Sequence, residues 1–95
     1  MSTLQVRDLD LILHAEQIRA ARSLLGWSQA ELAKNAKVGS MTVRRFETGV
    51  GPVRGTIESL VRVQSALELA GIQFIAADEW GSVGVRLNQK SKAQK

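Results

Sequence analysis

"GWSQAELAKNAKVGSMTVRRFETG", residues 26–49, decides how the rest of the chain can fold. Ser28 with Glu31 three residues on is a capping box, and Trp27 before it with Leu32 after it is the pattern of a hydrophobic staple. A helix is therefore predicted from 29 to about 36. Two turns of helix are marginal alone in water, so this one must be held by packing. Another short helix is predicted to begin at 39 or 40 and run to about 48, with Val43 and Phe46 inward, Met41, Arg44 and Arg45 elsewhere on its surface, and Gly49 as its stop.

Upstream, Ile18, Ala21, Leu24 and Leu25 recur at helical spacing over 15–25, and Gly26 ends that helix. His14, at its start, reads as a cap rather than a ligand or base. Downstream, "GVGPVRG" (49–55) is a loop. Thr56 then caps a fourth helix whose Ile57, Leu60, Val61, Leu67 and Ala70 form the apolar stripe and which ends at Gly71. Past Gly71 the period changes from helical to alternating. Strands are predicted at 72–76 and 83–88 with "ADEWGS" turning between them.

A two-stranded hairpin is marginal in water, so it must lie on the helices or pair with a second subunit. Its apolar residues Ile72, Phe74, Val83, Val85 and Leu87, with Trp80 in the turn, are the candidate dimerisation surface. A large aromatic in a turn is best explained by another surface that meets it. "LQVRDLDLIL", within residues 1–13, could be an arm, a short strand or an early start to the first helix. Residues 89–95 read as a disordered basic tail.

Ninety-five residues, 44% of them apolar, make one domain with a single core and little room for a deep enclosed active site. The net charge of +4 and pI near 10.1 favour a polyanionic partner. The basic excess falls on residues 14–49, with six Lys/Arg against three Glu, and on Lys90, Lys92 and Lys95. Cysteine is absent, which excludes a disulfide framework and Cys-based zinc sites and suits a reducing cytoplasm. No secretory leader and no membrane span is legible. With one histidine, and with Asp8/Asp10 and Asp78/Glu79 in arm and turn positions, no catalytic set assembles. An enzyme is not expected, nor is a cofactor.

"IRAARSLLGWSQAELAKNAKVGSMTVRRFETG", residues 18–49, resembles the helix-turn-helix domain of phage Cro proteins, lambda-type repressors and many small bacterial regulators, the XRE family. The strings carrying the likeness are I-R-x-A-R, G-[LW]-[ST]-Q-x-E-L-A, T-[IV]-x-R and E-x-G. It implies a mostly α fold of four to five helices, lambda-repressor-like, with the short β-hairpin appended. The third helix would be the reader in the DNA major groove, with Ser40, Met41, Arg44 and Arg45 aimed at base edges or flanking phosphates. Gln29 and Thr42 match phosphate-contacting positions, and Arg54 is a weaker candidate. Arg22 and Glu47 match positions that form an ion pair in relatives. Many relatives carry glycine where Lys37 stands and Ser or Thr where Gly39 stands.

The function so implied is a cytoplasmic, sequence-specific regulator of transcription, binding double-stranded DNA as a homodimer on a (pseudo)palindromic operator. Two alternatives stand beside it. The chain could be an antitoxin that represses its own operon, with a protein partner such as a toxin or antiactivator. It could also be a protein-interaction module without DNA binding.

Overall fold

The first helix to form a defined start does so without a side-chain cap from its own N-cap residue. In the computed structural model, which describes residues 13–88, α1 spans Ala15–Leu25 and His14 occupies its N-cap position. The His14 N–H donates to Gln17 Oε1 (3.0 Å), while the ring's Nδ1 is buried with no partner among the described residues. His14 thus stands at the cap position expected of it, held there by the Gln17 side chain. Gly26, at φ 71°, ends α1 in the left-handed region. α2 spans Gln29–Ala36, and its capping box is complete: Glu31 N–H donates to Ser28 Oγ (3.0 Å) and Ser28 N–H to Glu31 Oε1 (2.7 Å).

α3 spans Ser40–Glu47 and is followed by Thr48 and a left-handed Gly49. α4 spans Ile57–Leu69, with the Ser59 N–H donating to Thr56 Oγ1 (3.1 Å). The strands are β1, Ile72–Ile75, and β2, Gly84–Leu87, paired antiparallel with Ile72 opposite Leu87 and Phe74 opposite Val85. The described residues are thus mostly helical, with four helices and one two-stranded hairpin. No helix among the described residues is long and apolar enough to cross a membrane.

Every element contributes to one core. Ile18 and Ala21 of α1, Leu32 and Ala36 of α2, Val43 and Phe46 of α3, Val63 and Leu67 of α4 and Ile72 of β1 are buried together. Leu13 belongs to it as well. Residues 1–12 and the tail at 89–95 lie outside the described residues.

Two expectations about packing are corrected. The inward face of α4 is Val63, Ala66 and Leu67, with Leu60 partly buried; Ile57 and Val61 point to solvent and Ala70 is only half-buried. α4 is apolar on more than one side, and the neighbouring helices select which side is covered. The hairpin takes the first of its two options and lies on the chain's own helices. Ile72 is buried, Phe74 and Val85 pack against the core, and Val83 is half-buried, because alternation turns these residues to the helix side. Ile72 is therefore spent inside the chain and is not surface for a partner.

The hairpin is fastened by one side chain that the sequence does not advertise. Gln17, buried on α1, donates from Nε2 to the carbonyls of Gly84 (3.0 Å) and Ile75 (3.4 Å) while its Oε1 holds His14. At the hairpin's far end Asp78 Oδ1 accepts from the N–H groups of Trp80 (2.8 Å) and Gly81 (3.0 Å), which fixes the turn and leaves Trp80 86% exposed.

Candidate nucleic-acid interface

α3 has one buried and one open side. At about 100° per residue, Ser40, Met41, Arg44 and Arg45 fall within a sector of about 140°, opposite Val43 and Phe46, with Glu47 at the edge beside Ser40. The four are exposed, and the other three are buried. Neither arginine side chain has a hydrogen-bond or ion-pair partner among the described residues, and the helix's one acid, Glu47, is turned inward. The open side therefore carries two cations with no counter-charge bonded to them among the described residues.

The orientation of that side is set from beneath. Arg22 of α1 grips Glu47 with two bonds, Nε to Oε2 at 2.6 Å and Nη2 to Oε1 at 2.9 Å, and spends Nη1 on the Trp27 carbonyl at 2.7 Å. Burial alone would push the Glu47 carboxyl up. The hydrogen bonds from Arg22 and Gln29, with the charges of Arg22 and Arg19, outweigh it and hold the group below the usual carboxylate range. The bond to Glu47 holds the Arg22 guanidinium above its ordinary value. Two charges so placed, with the acid buried, act as a bolt between α1 and the end of α3.

Two further side chains join this bolt. Gln29, expected on phosphate, donates its Nε2 to Glu47 Oε1 (3.1 Å), because the start of α2 lies against the end of α3. Arg19 donates Nη1 to the carbonyls of both Glu47 and Gly49 (2.9 Å to the latter), closing the C-terminus of α3. Its signal was legible: three residues before Arg22, it shares that face of α1.

Thr42 is half-buried at the start of α3, where it lines a shallow pocket of ≈250 Å³ with Lys37, Gly39 and Arg62. Lys37 stands in the left-handed region at φ 61°, and its carbonyl accepts from Arg62 Nη1 (3.0 Å), whose Nη2 is bound to Glu58 (2.8 Å). Gly39 caps α3 without a side chain. Arg54 is exposed on the 49–55 loop. That loop is tied to the start of α1, through Ala15 N–H to the Gly51 carbonyl (2.9 Å), Gly51 N–H to Glu16 Oε1 (3.0 Å) and Val53 N–H to the Leu13 carbonyl (2.9 Å). The Gly51 N–H is the chief reason the Glu16 carboxyl titrates below its ordinary value.

The structure thus gathers Ser40, Met41, Arg44 and Arg45 on one open face with Thr42 at its edge, joins Arg22, Glu47 and Gln29 beneath it, and sets Arg54 on a separate loop. Of the residues considered for dimerisation, Trp80 and Leu87 keep substantial exposure and Ile72 keeps none. No protein-family model matches the chain, and no curated protein is significantly similar to it.

Proposed function

We propose that the chain is a sequence-specific, double-stranded DNA-binding regulator of the lambda-repressor-like helix-turn-helix type, with α2 and α3 as the motif, acting as a homodimer. The observation that carries this reading is the open face of α3, two arginines without a partner among the described residues beside Ser40 and Met41, on a helix whose other side is bolted to α1. A rigid helix with such a face suits the major groove, where an arginine makes a bidentate contact to guanine. Arg45 and Arg44 read bases or grip the phosphates beside them. Thr42, with the backbone at the start of α3, meets phosphate. Gln29 serves mainly to position α3.

The partner surface for the homodimer lies on the other side of α1. Gln17, which holds the hairpin, and Arg19 and Arg22, which hold α3, are about 140–200° apart around that helix. Trp80 at the hairpin tip is therefore turned away from the DNA face and suits a protein contact. The test is selection of bound sites from random DNA by the purified chain, followed by footprinting. A two-fold symmetric protected site supports the reading, and no protection at low salt sinks it.

A further inference from the structure

The sequence holds no cysteine and two methionines, Met1 and Met41, so Met41 carries the only sulfur among the described residues. It stands in the first turn of α3 and is 64% exposed, whereas the helix's other large apolar side chains, Val43 and Phe46, are buried. A thioether placed in water is open to oxidants that a packed one escapes. No thiol in the sequence competes with it for them.

Its neighbours make the position more than an exposed methionine. Arg44 lies about 60° to one side of Met41 around α3 and Arg45 about 40° to the other, each about one turn further along. Side chains so spaced are neighbours on a helix surface, about 5–6 Å apart at Cβ, and an acceptor four residues before a cation stands in the favoured order. Neither guanidinium has an ion-pair or hydrogen-bond partner among the described residues, so each has its donors to offer. A thioether sulfur accepts only weakly and does not engage them. A sulfoxide oxygen at the same place would, because oxidation turns the flexible apolar tip into a polar one.

We propose that Met41 is a reversible oxidation site that switches the open face of α3, with a hydroperoxide as the oxidant. The sulfur lone pair attacks one peroxide oxygen, and the O–O bond breaks as the S–O bond forms. The sulfur loses two electrons to the peroxide, and the proton of the transferred hydroxyl passes to the departing oxygen, which leaves as water when the oxidant is hydrogen peroxide. The new oxygen then accepts from the Arg45 guanidinium, or from Arg44 on its other side. The switch rests on α3 being the element that meets DNA. There it acts twice, since the arginine donors are drawn away from guanine or phosphate and the apolar contact open to a thioether, such as a thymine methyl, is lost. The fold is spared, because the core face of α3, Val43 and Phe46, is untouched.

The test treats the full chain with hydrogen peroxide and follows the peptide containing Met41 by mass spectrometry. Met41 should gain one oxygen at a rate within about tenfold of that of N-acetylmethionine amide. Affinity for the selected DNA site should then fall roughly tenfold or more, about the worth of one good arginine contact. The melting temperature should stay within about 2 °C, and a methionine sulfoxide reductase should restore the affinity. Met41→Leu, judged against its own untreated affinity, should lose nothing on treatment; it keeps Met1 and so reports oxidation elsewhere. Slower oxidation than that, affinity unmoved after full conversion, an equal loss in Met41→Leu, or a loss that comes with a lower melting temperature overturns the proposal. An untreated chain that binds no duplex removes the DNA reading and the switch with it, whereas a chain that binds but does not respond removes the switch alone.

Discussion

At the scale of single residues, Glu47 is the position on which most depends. Its carboxylate is buried and held by three donors from two other helices, so removing one partner leaves a charge that the interior cannot solvate. Arg22→Met should cost about 2–3 kcal/mol, at the low end for a buried pair because the arginine is partly open to water. Urea unfolding measures it. The same group sets an acid limit. A carboxyl whose folded value is depressed contributes stability that is fully present above its ordinary value of about 4.3 and is lost as pH falls through the lowered one. Thermal melts from neutral pH downward should therefore show a fall confined to the region below about pH 4, shallower in Glu47→Gln.

Lys37 is the complementary case of a residue that the fold tolerates rather than wants. It is the one non-glycine residue with positive φ among those described, and a side chain there costs on the order of 1–2 kcal/mol. Lys37→Gly recovers part of that, offset by glycine's greater freedom when unfolded, and should raise the melting temperature by a few degrees. An unchanged or lower melting temperature would show that the Arg62 bond to the Lys37 carbonyl has already absorbed the strain.

Among the elements, what the sequence disclosed depended on how local the signal was. The end of α1, the start of α2 and the end of α3 follow from Gly26, from Ser28 with Glu31, and from Gly49, each acting within a few residues, and they fall where such signals place them. The inward side of α4 did not follow, because Ile57, Val61, Val63 and Leu67 are all apolar and only the packed neighbours distinguish them. Gln17 was illegible for the same reason: its partners are 58 and 67 residues away. The open side of α3 was read residue by residue, whereas Gln29's bond to Glu47 depends on where α3 ends relative to α2.

Gly55 shows how closely the elements fit. A Cβ there would sit 2.7 Å from Phe46 Cε1, in the middle of the core. Gly55→Ala should therefore cost about 1–3 kcal/mol by displacing the Phe46 ring, although alanine usually strengthens a loop. A chemical-denaturation midpoint equal to that of the parent would contradict this.

For the whole molecule, the two sides of α1 should respond to different substitutions. If α3 reads DNA, Arg45→Ala lowers affinity for the selected site by about 1–3 kcal/mol and relaxes base preference, while leaving the fold intact. Binding isotherms on selected and scrambled sites, each over a range of salt, separate this from a uniform loss through phosphate contacts. If the hairpin is the dimer surface, Trp80→Ser should leave the melting temperature nearly unchanged, since the ring is exposed, yet weaken self-association tenfold or more by sedimentation. A dimer constant unmoved by that substitution would place the subunit contact elsewhere.

The grip of Arg19, Arg22 and Gln29 on the end of α3 has a calorimetric consequence. A helix already locked in place has no disordered state to leave on binding. If α3 reads DNA, titration with the selected site should thus give a heat-capacity change that tracks only the surface covered at the contact, well short of the large negative values seen when a segment folds as it binds.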